Sequence, residues 1–86
     1  MARLPVVSSG EIVKILEQHG FRVVRQRGSH MVLQKRTDQS TVTTVVPNHK
    51  ELAPGTLRSI LKRTGLSAED LIRLLTILIG MSPRFW

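Results

Sequence analysis

Three short β-rich runs follow one another with little between them, and this limits the fold more than any other feature of the chain. Phe21 to Gln26 carries Val23 and Val24, Ser29 to Lys35 alternates apolar with polar residues, and Thr41 to Val46 consists of Thr and Val only. Arg27-Gly28 supplies a tight hairpin turn and Thr37-Asp38-Gln39-Ser40 a polar one, so the runs predict a three-stranded antiparallel meander. Pro47 stops the third strand, because proline cannot donate to a ladder. In the second strand the period of two sets Met31 and Leu33 on one face and His30, Val32 and Gln34 on the other. Met31 and Leu33 suit a core. If the helices cover that same face, His30 stands on the open one; a register slip of one residue would reverse the assignment.

Such a sheet needs cover, and its flanks have helical signals. Ser8-Ser9-Gly10-Glu11 has the spacing of a capping box. The helix it opens runs to about His19, with Ile12, Val13, Ile15 and Leu16 on its apolar face and Gly20 as a left-handed stop. His19 then serves only as a partner of the helix dipole. After a loop over Pro47-Asn48-His49-Lys50-Glu51, Pro54-Gly55 introduces a second helix whose buried stripe is Leu57, Ile60, Leu61 and Thr64, closed by Gly65. Ser67, with Asp70 three residues on, reads as the N-cap of a third helix carrying Leu71, Ile72, Leu74, Leu75 and Leu78. The fold class expected is α+β: helix, three-stranded antiparallel sheet, helix, and a C-terminal helical extension.

An 86-residue chain suits one domain, 1–86, with a core over about 8–76 and an apolar tail over 77–86. The tail residues Ile77, Leu78, Ile79, Met81, Phe85 and Trp86 have three courses open to them: over the sheet, into a subunit interface, or no fixed structure. Covering the open face would obstruct His30.

Thirteen Lys and Arg against six Asp and Glu give a formal net charge of +7, a field that attracts polyanions. Nucleic acid is the leading partner class; an acidic protein would use the same field, and a merely solvated basic surface is the bland alternative. Arg22, Arg25, Arg27, Lys35 and Arg36 gather along the first hairpin, and Lys50, Arg58, Lys62 and Arg63 ring the second helix. Together they make a phosphate track. Phe21, Phe85 and Trp86 are too few aromatics for a base-stacking platform, and Phe21 suits the core, so recognition should be mostly electrostatic.

The absence of cysteine excludes disulfides, Cys-ligated zinc and a thiol nucleophile. Three histidines at separate positions without paired spacing predict neither a metal site nor any cofactor. The N-terminal stretch does not read as a secretory signal, and the apolar segment beginning at Leu74 is far below the roughly 20 residues that span a bilayer. No membrane partner is expected, and cytoplasm is the default location.

His30 follows Gly28-Ser29 into the second strand, where a phosphate could approach the glycine closely. Imidazole is the only side chain whose ordinary pKa lies near neutrality, which suits it to take a proton from a ribose 2′-hydroxyl or give one to a departing 5′-oxygen. The bland alternative is a polar residue that closes a hairpin. Ser29 could donate to a phosphate or serve only the turn. His49 could complete an acid–base pair, or tie down its loop through a ring hydrogen bond.

Taken in order, Gly20-Phe21, Arg25-x-x-Gly28-Ser29-His30, Val46-Pro47-x-His49 and the run from Glu51-Leu52 through Gly55-Thr56-Leu57, Ile60-Leu61-Lys62 and Gly65-Leu66 closely resemble the HicA family of mRNA interferase toxins. The resemblance spans about Gly10 to Leu75, and the apolar tail departs from the family's usual end. It implies a double-stranded-RNA-binding-domain-like fold. It also implies metal-independent cleavage of mRNA that blocks translation, with His30 as the catalytic histidine, and restraint by a HicB-type antitoxin. Arg25, Arg27, Gly28, Ser29, Lys35 and Lys62 are then the expected RNA contacts, with His49 auxiliary. Two rivals stand beside this: a non-catalytic RNA-binding module of the same fold, and an interaction domain for an acidic protein.

Overall fold

The computed structural model describes residues 3–80 and 82–86; Met81, grouped above with the apolar tail, lies outside the described residues. The elements in order are β1 (Pro5–Val6), α1 (Ser9–Gln18), β2 (Arg22–Arg27), β3 (His30–Arg36), β4 (Thr41–Pro47), α2 (Pro54–Thr64) and α3 (Ala68–Leu74). A π-helical turn over Leu75–Ile79 prolongs α3, and β5 (Arg84–Phe85) follows. This is the α+β arrangement of the double-stranded-RNA-binding-domain-like fold. The central strands pair in the order β2-β3-β4, antiparallel throughout.

Local chemistry explains the helix ends. The Ser8 hydroxyl accepts from the Glu11 amide at 3.1 Å while the Ser8 amide donates to Glu11 Oε1 at 2.8 Å, which completes the capping box. Ser8→Ala is expected to cost about 1 kcal/mol. Thermal unfolding followed by circular dichroism should show it as a fall of roughly 4–8 °C, and an unchanged midpoint would mean the box adds nothing. At the other end of the helical layer, Gly65 takes φ +78° and its amide donates to the Leu61 carbonyl, closing α2. Ser67 caps α3 by accepting from the Asp70 amide at 3.0 Å.

The core lies between one face of the sheet and the helices. Ile12, Ile15 and Leu16 of α1, Leu57, Ile60 and Leu61 of α2 and Leu71 and Leu75 from the C-terminal helix meet Leu33 and Val46 of the sheet. Phe21 is buried with them, as expected, and Met31 packs against the cluster. Thr64 is only half-buried, because its hydroxyl turns back to donate to the Ile60 carbonyl at 2.8 Å. Burying each large aliphatic side chain contributes about 1.5–3 kcal/mol, so the face that Leu33 occupies is strongly determined.

The tail folds back, but not over the sheet. Leu75 is buried and Leu78 and Ile79 pack against the core, after which β5 pairs with β1 through Pro5↔Phe85 and Val6↔Arg84. The Trp86 amide donates to the Leu4 carbonyl at 3.3 Å, and Arg3 donates to the Trp86 carbonyl through Nε at 3.1 Å. Ile77, Phe85 and Trp86 remain exposed. Among the described residues no helix is long and apolar enough to cross a membrane.

The candidate catalytic face of the sheet

Residues directly opposite one another in an antiparallel pair share a face, so the register defines the rows of side chains around His30. His30 pairs with Arg27 on one side and Pro47 on the other. The next row is Arg25, Val32 and Val45, and the one beyond is Arg22, Gln34 and Thr43. A bulge between Val23 and Arg25 takes up Val24 and keeps Arg25 in line with Val32. His30, Arg25 and Arg27 are all exposed. Among the described residues the His30 ring makes no hydrogen bond and neither arginine makes an ion pair.

The hairpin that carries His30 has the two-residue loop Gly28-Ser29. Gly28 has φ +54° while no non-glycine residue described has a positive φ, the pattern of a type II′ turn, whose twist matches the strands it joins. A Cβ at Gly28 would meet nothing within 4 Å, so backbone conformation rather than crowding demands glycine there. Gly28→Ala is expected to cost about 1–2 kcal/mol through the left-handed backbone alone. Chemical denaturation should read that loss; a variant as stable as the parent would rule the turn assignment out.

The loop after β4 is fastened to this hairpin. The Asn48 amide donates to the Ser29 carbonyl at 2.6 Å, and the Asn48 side chain accepts from the Ser9 hydroxyl at 3.0 Å. The Ser9 amide donates to the His49 carbonyl at 3.0 Å, and the Leu52 amide to the Val7 carbonyl at 2.8 Å. The loop is thus tied down by the His49 main chain, not by its ring, which is exposed and makes no hydrogen bond among the described residues. His49 therefore sits at the same end of the sheet as Gly28, Ser29 and His30, with its imidazole uncommitted.

Two of the expected contacts stand apart. Lys35 has the parity of Met31 and Leu33 and lies on the other face, where its Nζ sits 5.8 Å from the centroid of the Phe21 ring. Its stem runs past Gly20, where an added Cβ would come within 3.3 Å of Lys35 Cε. The stem thus covers the core's rim and the ammonium lies beside the Phe21 ring, away from the row of His30. Lys62 is exposed on α2, beyond the β4 edge. Asn48, which fastens the loop after β4 to the hairpin, stands directly after a strand-ending proline, a position whose turn-forming chemistry is visible in the sequence. His19 is half-buried at the end of α1, with Nδ1 enclosed and unpartnered among the described residues.

The arrangement can position a polyanion. An exposed imidazole stands at the open end of a sheet face where its own row supplies Arg27 and the next two supply Arg25 and Arg22, and the adjacent loop offers a second imidazole. Among the described residues no group of three or more His, Cys, Asp or Glu could hold a metal ion. A family model for the HicA toxin of bacterial toxin–antitoxin matches residues 9–66, from the first turn of α1 to the residue after the α2 cap. Neither the curated proteins nor the solved structures give a match.

Proposed function

The chain belongs to the HicA toxin family, and on that premise we propose that it is an endoribonuclease that cleaves mRNA without a metal, using His30 as general acid or base. The observation that carries this is the exposure of His30 beside Arg27 and Arg25, its ring free of hydrogen bonds among the described residues, on the Gly28-Ser29 turn.

The proton transfers follow from the geometry of a phosphodiester. A base removes the ribose 2′-hydroxyl proton as the 2′-oxygen bonds to phosphorus, and an acid protonates the 5′-oxygen as its bond to phosphorus breaks. The products are a 2′,3′-cyclic phosphate and a 5′-hydroxyl end. His30 serves one role or both in turn, and His49 at the same end of the sheet is the candidate for the second. Positioned proton transfer is worth about 10²–10⁴-fold, so charge stabilisation by Arg25 and Arg27 must supply much of the remaining acceleration.

As the toxin of a toxin–antitoxin pair, the chain has an antitoxin partner, which we take to be a HicB-type protein acting in the cytoplasm. An acidic antitoxin covering His30 would gain fast association from the net charge of +7 and would exclude RNA by occupying its place. Purified chain incubated with end-labelled single-stranded RNA in excess EDTA should yield discrete fragments with cyclic phosphate ends. RNA that stays intact would overturn the proposal; RNA retained but uncut would favour a binding module.

A further inference from the structure

A groove of about 840 Å³ opens between β4 and α2, at the outer edge of the rows around His30. Thr43 and Val45 line its strand side, and Thr56, Ser59, Lys62 and Arg63 its helix side. Hydroxyls and cations therefore face each other across an open trough, and among the described residues no carboxylate lines it. That combination offers donors to an anion and repels nothing about one.

Arg63 decides what kind of occupant fits. Its Nε donates to the Thr43 carbonyl at 2.9 Å, which holds the guanidinium plane against the strand edge. Among the described residues its terminal nitrogens make no hydrogen bond or ion pair, so four N–H donors remain for a ligand. A guanidinium held this way loses little further freedom when it grips a phosphate. The same bond occupies an outward carbonyl of β4, an edge strand of the sheet, and so blunts the addition of a partner's strand there.

The groove is also continuous with the catalytic face. Val45 and Thr43 pair with Val32 and Gln34, on the side that His30 shares, and Pro47 pairs with His30 itself. At a rise of about 3.4 Å per residue, Val45 lies roughly 7 Å and Thr43 roughly 14 Å along the strand from that pair. A strand of RNA lying over His30 and following β4 enters the groove within a nucleotide or two.

We infer that the β4–α2 groove holds the sugar–phosphate backbone flanking the cleaved bond, with Arg63 as a fixed phosphate fork and Lys62, Ser59 and Thr56 completing the subsite. The inference rests on the ribonuclease assignment. It makes these residues determinants of substrate affinity that leave the chemical step alone.

Ser59 is exposed and its side chain makes no hydrogen bond among the described residues, so Ser59→Glu places a negative charge in the groove without removing a structural contact. With labelled single-stranded RNA, Ser59→Glu and the double variant Lys62→Gln/Arg63→Gln should each raise KM about tenfold and change kcat by less than about twofold. In the His30→Ala background, the double variant should reduce the slope of log Kd against log salt concentration by about 1.4, two phosphates at about 0.7 each. Circular dichroism melts establish that each variant is folded, and Ser59→Glu stands as the test if Arg63→Gln is not. If the parent cleaves RNA while KM and the salt slope stay unchanged, the groove assignment fails and the ribonuclease assignment stands. If cleavage is untouched but binding to an acidic antitoxin is lost, the groove serves a protein and the inference is overturned. A parent that does not cleave RNA removes both.

Discussion

His30→Ala is expected to leave a folded protein that has lost RNA cleavage by about 10²–10⁴-fold, the usual worth of a positioned general acid or base. The side chain is exposed and makes no hydrogen bond among the described residues, so little in the fold depends on it. Surface changes of this kind usually stay within about 0.5 kcal/mol, and the melting point should hardly move. RNA retention should persist, because Arg25, Arg27 and the other exposed cations are untouched. Single-turnover cleavage assays beside thermal melts separate the two effects. His49→Ala should reduce the rate by a smaller factor if His30 handles both protons, and by a comparable one if the two imidazoles divide the work. A His30→Ala variant that cleaves within a few-fold of the parent would remove His30 from the chemistry.

The second large effect concerns the opposite face of the same strand. Leu33 is fully buried between the sheet and the helices, whereas its neighbour Val32 lies on the side of His30 and is half-buried. Leu33→Ala should cost about 2–5 kcal/mol, the transfer term for the lost methyl groups plus the cavity left behind. A chain of 86 residues has only about 4–13 kcal/mol in hand at roughly 0.05–0.15 kcal/mol per residue, so much of its stability would go. Its unfolding midpoint should fall by at least about 8 °C, while Val32→Ala should move it far less. Equal losses at both positions would contradict the division of β3 into a core face and an open face. That division is what presents His30 to solvent.

The parts of this fold that were legible in the sequence are those set by neighbours in the chain. The capping box at Ser8 and Glu11, the glycine stop after α2 and the cap at Ser67 need only spacing, and each forms as expected. The parity that separates His30 from Leu33 is likewise local, and the long pairing of β3 with β4 preserves it. Lys35 obeys the same rule: it shares the parity of Met31 and Leu33 and lies on the core side beside Phe21. What could not be read depends on residues far apart. The pairing of β1 with β5 joins strands of two residues each from opposite ends of the chain, too short to announce themselves by pattern. The bond from Arg63 to the Thr43 carbonyl and the fastening of the His49 loop through main-chain groups belong to the tertiary structure, and no periodicity signals them. The tail is plainly apolar in the sequence, yet only the docking of Leu75, Leu78 and Ile79 on the core shows why it bypasses the open face.

The most direct measurement is the response of the imidazole resonances to an uncleavable substrate. Single-stranded RNA methylated at every 2′-oxygen is expected to bind through its phosphates but cannot supply the attacking hydroxyl, so the complex should persist long enough for NMR. The expected result is a shift of the His30 ring signals that saturates with RNA, while those of His19, half-buried at the end of α1, stay in place. A bound RNA that perturbs other residues and leaves the His30 ring untouched would contradict the claim that this imidazole meets the substrate.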